Sequence, residues 1–243
     1  MNIKSVVSML SQNISSVREK IAAAAKRSAR SAADVELVVV SKKRSAEEIR
    51  EVLESGVTLF AESRLQEALE KIPLLPSRLH WHFIGHLQKN KLRKLLPLFE
   101  LFHGLDNLEL AQSMNRVAEE LGLFPRVLLE VNIAGESTKY GFSPRILECS
   151  LEKLLSLSRV QVEGLMTMAP LTKDPEQTRP FFQQLRLLRD QLAQRAGIPL
   201  SVLSMGMSQD YEVAIEEGAT LVRLGTAIFQ EEHHRVEMEQ ERR

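Results

Sequence analysis

Apolar residues fall along this chain in two alternating rhythms. Ile3, Val6, Leu10, Ile14, Val17 and Ile21 recur at steps of three or four, which predicts an amphipathic helix within residues 3–26. Beyond it, short apolar runs alternate with helical periods. The runs are ELVVVSK (36–42), TLFAES (58–63), LHWHFIG (79–85), LFHGLD (101–106), RVLLEVNI (126–133), VQVEGLMTM (160–168), LSVLSMGM (200–207) and TLVRLGTAIF (220–229). Segments such as SAEEIREVLES, LQKNKLRKLLPLF and PFFQQLRLLRDQLAQRA carry the helical period between them. Several runs are apolar at consecutive positions, as expected of strands covered on both faces.

Eight such strands, each followed by a helix, predict an α/β fold: a single-domain (β/α)8 TIM barrel with an extra N-terminal helix. A doubly wound open sheet is the alternative, because periodicity does not report closure. No Pro/Gly/Ser linker divides the chain, so residues 1–243 read as one domain, with the helix in 1–30 and a charged tail at 231–243.

In such a barrel the chemistry sits at the C-terminal ends of the strands. Those ends hold Lys42, Glu62, Ser63, Asn132, the SMGMS run (204–208) and VRLGTA (222–227). Alternation puts Val38, Val40 and Lys42 on one face and Arg223 with Gly225 on one face. If that face is the interior, Lys42 and Arg223 meet at the mouth, since an eighth strand closes onto the first. A desolvated lysine near another cation loses pKa, and a neutral amine attacks aldehydes; a lysine at a strand end can equally snorkel into solvent. The SMGMS and RLGT loops put small residues and hydroxyls where many barrels bind phosphate. Ser208 is expected to N-cap the helix that follows, and Gly206 and Gly225 to admit close backbone approach. An amine facing a phosphate cradle describes pyridoxal 5′-phosphate (PLP).

Composition narrows the partners. Lys+Arg and Asp+Glu are 32 each, so no global field recruits nucleic acid or an anionic membrane. Cys149 is the one cysteine, which excludes an internal disulfide and fits a reducing compartment; its helical setting suggests packing. No signal peptide is read in the first residues and no run reaches bilayer length, so the expected location is cytoplasmic. The H-x-H of His80 and His82 lacks a third ligand at metal-like spacing, and both read as barrel residues; no metal is expected. The KNKLRK cluster (89–94) reads as a solvated helix face.

Six blocks in order carry a resemblance: VVVSK (38–42), WHFIGHLQKNK (81–91), N-x-x-x-E-x-x-K-x-G (132–141), GLMTM (164–168), GMSQDYEVAI (206–215) and VRLGTAIF (222–229). The chain resembles the pyridoxal phosphate homeostasis protein family, single-domain relatives of the alanine racemase barrel. The resemblance implies PLP held as a Schiff base on Lys42, phosphate-binding positions at Ser208, Gly225 and Thr226, and Arg223 beside the pyridine nitrogen. His82 and Met207 fall in shared blocks near the cofactor, and Ser63 stands at the one block that departs. Where the family pattern reads F-G-E-N, this chain has Phe60, Ala61, Glu62 and Ser63, a short hydroxyl in place of an amide.

The resemblance implies storage and delivery of PLP in intracellular homeostasis, with no catalytic residue assigned. Arginine offers donors only, whereas PLP catalysis favours a protonated pyridine nitrogen. The expected partners are PLP and the apo-enzymes that require it, with the protein a monomer. A PLP-dependent amino-acid racemase or lyase is the alternative, and an aldolase-like barrel using Lys42 without PLP is a third.

Overall fold

The computed structural model describes residues 8–230. Eight parallel strands close into a barrel in sequence order, which decides for closure over the open sheet. They are β1 (Glu36–Val40), β2 (Leu59–Glu62), β3 (His80–Phe83), β4 (Leu101–Leu105), β5 (Arg126–Glu130), β6 (Gln161–Met166), β7 (Val202–Ser204) and β8 (Leu221–Leu224). Closure runs through β1 and β8, where Val38 lies beside Arg223 and Val39 beside Leu224.

The strands are shorter than the apolar runs because each run continues into the loop at the mouth. The largest departure is TLVRLGTAIF: its strand stops at Leu224, and Thr226–Phe229 form a one-turn helix, α9. LQKNKLRKLLPLF also yields only one α-helical turn, α4 (Leu92–Leu95), after a 3-10 turn at Lys89–Lys91. The longer helices follow their periods: α2 (Ala46–Glu54), α3 (Leu65–Lys71), α5 (Leu108–Leu121), α6 (Pro144–Leu155) and α7 (Arg179–Ala196), with the short α8 (Tyr211–Glu216) before β8.

With only one turn after β8, the outer layer over β8 and β1 is completed by the helix that precedes the barrel. That helix, α1 (Met9–Arg27), buries Leu10, Ile14, Val17 and Ile21 and packs against α2, α8 and α9. Ser8 caps its first turn by accepting from the Ser11 N–H. Ile3, Val6 and the tail at 231–243 lie outside the described residues.

Two apolar clusters divide the core. The larger lies between strands and helices and includes Val39, Phe60, Phe102, Leu129 and Leu224. The smaller fills the barrel interior: Val38, Leu59, Ala61, Leu101, Leu128, Met166 and Leu221. These residues fix which face of each strand points inward, and two residues onward along β1, β5 and β8 stand Val40, Glu130 and Arg223.

Candidate functional site

The interior turns polar toward the C-terminal ends of the strands. Arg223 is 5% exposed and donates from one guanidinium nitrogen to the Ser204 hydroxyl and from the other to the Thr167 carbonyl at 3.1 Å. His103 Nδ1 lies 2.9 Å from the same Ser204 oxygen, and its Nε2 lies 3.1 Å from His82 Nδ1. Because arginine only donates, the Ser204 oxygen accepts from it and its own hydrogen turns to His103 Nδ1. His103 then carries its proton on Nε2 and donates to His82. Burial pushes the His82 imidazole down to about 4, helped by Arg126 and His80, and holds His103 well below its usual range, helped by His82 and Arg223. Both rings are therefore neutral parts of a one-way hydrogen-bond chain that starts at Arg223 and ends at His82.

The charge of Arg223 is balanced at a distance. Burial pushes the guanidinium down to about 10, against the pull of Asp210 and Glu130. It remains cationic at neutral pH. Glu130 shares the inward face of Leu128, is 6% exposed, and its carboxyl is pushed up to about 7 by burial and then by Asp106. Asp106 is itself raised by burial while His86 Nδ1 stands 3.4 Å from its Oδ2. The His86 ring stacks on exposed Tyr140 at 3.8 Å between centroids.

Each residue singled out from the sequence has a definite place. Lys42 lies two residues past β1 in a turn, is exposed, and makes no hydrogen bond or ion pair among the described residues. Ser63 follows β2, half-buried, against Gly85, whose added Cβ would sit 2.1 Å from the Ser63 carbonyl oxygen. Glu62, grouped with Ser63 at that strand end, instead faces outward: it is wholly buried between β2 and α3 and paired with Lys71 at 2.6 Å. His82 sits deep in the interior on His103.

The loops after β7 and β8 interlock. Ser208 does not cap α8, correcting that expectation; Asp210 holds that position, and its Oδ1 accepts from the Met207 N–H at 2.7 Å. The Ser208 hydroxyl reaches across to accept from the Ala227 N–H at 3.1 Å, in the first turn of α9. Among the described residues the N–H groups of Ser208 and Thr226 have no hydrogen-bond partner, so both remain available to an acceptor. Thr226 is exposed and Gly225 half-buried. Gly206 has φ +92°, and a Cβ there would fall 2.6 Å from that of Ala214; at Gly225 it would come 3.3 Å from the Val40 carbonyl.

Sequence reasoning passed over His103 and Glu130, and took Ser204 only as part of the SMGMS run. Each is a lone polar residue at an inward position of an apolar strand, which is the signal that would have found them. Cys149, expected to pack, is an exposed thiol on α6, because the helix turns that position to solvent. The KNKLRK cluster is indeed solvated, with Lys89 paired to Glu109 and Arg93 to Glu120. Among the described residues no group of three or more His, Cys, Asp or Glu could hold a metal ion.

A closed parallel (β/α)8 barrel, with an exposed amine in the turn after its first strand and open backbone N–H groups after its seventh and eighth, is the class of protein the fold defines. The alanine racemase N-terminal domain family matches residues 12–233. The chain is 43% identical over 221 residues to the pyridoxal phosphate homeostasis protein of Aquifex aeolicus, covering 90% of this chain and 97% of that one. It is 36% identical over 231 residues to that of Escherichia coli K12, covering 90% and 95%. PipY of Synechococcus elongatus PCC7942, solved without PLP, superposes with a TM-score of 0.83 at 36% identity, covering 91% of this chain and all of PipY. The structure of PipY with PLP bound gives 0.80. Alanine racemase of Clostridium difficile shares the fold at 17% identity and a TM-score of 0.69, this chain spanning 56% of it. The chain belongs to the pyridoxal phosphate homeostasis protein family.

Proposed function

We propose that the protein binds PLP at the barrel mouth and serves PLP homeostasis, storing the cofactor and delivering it to apo-enzymes. The observation that carries this reading is the donor set. The unpartnered Lys42 amine and the open N–H groups of Ser208 and Thr226 stand on the neighbouring β1, β7 and β8 ends of one mouth. That set fits an aldehyde joined to a phosphate, and the relatives include PipY, solved with PLP bound. PLP supplies an aldehyde that condenses with a primary amine, releasing water.

The chain's own residues divide the work. Lys42 presents the amine. Ser208, Gly225 and Thr226 hold the phosphate through N–H and hydroxyl donors, with Met207 and Ser63 at the rim. Arg223 faces the ring nitrogen with donors only, oriented by Ser204 and by the His82–His103 chain behind it, so no proton is delivered to that nitrogen. This favours holding the cofactor over turnover of amino acids. We take the protein to act as a cytoplasmic monomer; no helix of the described residues is long and apolar enough to cross a membrane.

The test is the absorbance spectrum of purified protein mixed with PLP. Wild type should develop a visible band that borohydride removes, leaving added mass on the Lys42 peptide. Lys42→Ala should fold and show no band, and pyridoxal without phosphate should bind far more weakly than PLP. A band that persists in Lys42→Ala, or pyridoxal binding as tightly as PLP, refutes the reading. Multiple turnovers with an amino acid would put a racemase or lyase in place of the carrier.

A further inference from the structure

Behind the Lys42 turn, on the outer face of the barrel, lies a buried charge cluster that the cofactor-binding reading leaves unused. The Lys71 ammonium at the end of α3 donates to the Ser41 carbonyl at 2.8 Å, to Glu62 Oε1 at 2.6 Å and to Glu67 Oε2 at 3.2 Å. The Ser41 hydroxyl donates to the same Glu62 oxygen at 2.8 Å. On the other side of Lys42, the Lys43 backbone N–H donates to Glu67 Oε2 at 2.7 Å. The residues immediately before and after Lys42 are thus both tied to this cluster, while the Lys42 side chain itself is left untied.

Two further features mark the cluster as more than packing. It sets two carboxylates against one ammonium, all three at least partly withdrawn from water; Glu62 is wholly buried, and its Oε2 has no hydrogen-bond partner. Apolar side chains would fill that space without the desolvation penalty. In addition, Lys43 has φ +60°, a left-handed conformation unfavourable for a residue with a Cβ, which persists only where its surroundings enforce it. Glu67 supplies that enforcement by accepting the Lys43 N–H.

We propose that Glu62, Glu67 and Lys71 form a positioning clamp that fixes the backbone on both sides of Lys42 and so sets where its amine meets an aldehyde. None of the three touches the ligand; they act through Ser41 and Lys43. The inference rests on the reading of Lys42 as the capturing amine. Capture forms one C=N bond between Nζ and the aldehyde carbon; the carbonyl oxygen leaves as water with the two amine hydrogens. A flexible turn would still allow this bond to form, only from fewer productive geometries, so the clamp acts on the rate of capture.

The experiment compares the full-length wild type with Lys71→Met, Lys71→Arg and Glu67→Ala. Two quantities are measured: the rate at which PLP is captured on Lys42, and the affinity for pyridoxine 5′-phosphate. The latter carries ring and phosphate but a hydroxymethyl group in place of the aldehyde, so it reports the cradle alone. Lys71→Met should slow capture at least roughly tenfold, a loss in line with small misplacements of reacting groups, with pyridoxine 5′-phosphate affinity unchanged. Lys71→Arg should recover most of the rate. Should Lys71→Met fail to fold, Glu67→Ala, at a partly exposed position, should show the same split with a smaller slowing. Capture at the wild-type rate in either folded variant overturns the clamp, as does a parallel fall in both quantities, which would mean general loosening. A wild type that binds pyridoxine 5′-phosphate but captures nothing on Lys42 overturns the reading of Lys42 itself.

Discussion

The two faces of the β1–β2 pair carry opposite kinds of polar chemistry. Outside, Ser41, Glu62, Glu67 and Lys71 are buried or half-buried and hydrogen-bonded to one another. At the mouth, the exposed Lys42 and the half-buried Ser63 are polar groups for which the described residues show no side-chain partner. The alternation of the strand sends Val38 and Val40 one way and Val39 the other, and the chain after it leaves Ser41 buried and Lys42 exposed. Polar groups that hold the scaffold are used up by their neighbours, whereas the groups proposed to meet the ligand have valence to spare. In this chain one residue step divides the two.

The strongest way to break that contrast is to remove the carboxylate on the outer face. Glu62→Ala would leave the Lys71 ammonium, 12% exposed, without its shortest partner. Breaking a buried pair on one side costs about 3–5 kcal/mol, and urea denaturation should show a loss of that order. Ser63→Ala, one residue along and on the inner face, should leave the stability of the ligand-free protein nearly unchanged. Equal losses at the two positions would erase the distinction between the faces.

How far this contrast was legible in the sequence depends on the distance over which it is built. Strand number, order and inward face were readable because buried parallel strands are apolar at consecutive positions, and because Val38 and Arg223 sit at positions whose neighbours alternate. That Arg223 points into the interior followed from those same local patterns. The clamp was not readable: Glu67 and Lys71 look like the solvated side of a short helix, and only the packing of α3 against β2 turns Lys71 back toward Ser41. Ser208 was misread for a similar reason. Its nearest helix in sequence is α8, but the N–H it meets belongs to Ala227, nineteen residues away across the β7–β8 junction. TLVRLGTAIF was read as one strand because a one-turn helix of apolar residues leaves no period to detect.

The inner face can be probed through Glu130, a carboxyl raised from the usual 4.5 to about 7 by burial, next by Asp106, and opposed by Arg223. The folded state holds this proton more tightly than the unfolded chain does. Its stabilising effect is therefore complete below about pH 4.5 and is lost as the pH rises through 7. A shift of this size corresponds to about 3 kcal/mol. Glu130→Gln, which keeps the shape and removes the titration, should stabilise the ligand-free protein by an amount of that order at pH 8 and by almost nothing at pH 4. His82, pushed down to about 4, works in the opposite direction: its contribution is lost as the pH falls below 6.5. Comparing the variant with wild type at each pH cancels that term. Denaturant titrations at several pH values decide the matter, and a stability difference that does not grow between pH 5 and 8 rules out a raised Glu130.

The smallest effect, and the finest test of the boundary between the faces, belongs to Lys43. Its φ of +60° carries a cost for any residue with a Cβ, about 1–2 kcal/mol. Glycine removes that cost but adds unfolded-state entropy worth roughly 0.5–1 kcal/mol. Lys43→Gly should therefore stabilise the protein by no more than about 1.5 kcal/mol, the largest difference between those two terms. Its side chain is exposed, and the backbone N–H that Glu67 accepts is retained, so PLP capture by Lys42 should keep its wild-type rate. Lys43→Pro is the informative partner, because proline lacks that N–H and fixes φ near −65°. It should release the turn from Glu67 and slow capture, even though the replaced side chain touches neither the cluster nor the mouth. Measured side by side, the two variants separate the conformation of the turn from the charge of the lysine. If Lys43→Gly slowed capture as much as Lys43→Pro, the lysine side chain itself would belong to the inner chemistry, and the division between the two faces would not fall at Lys42.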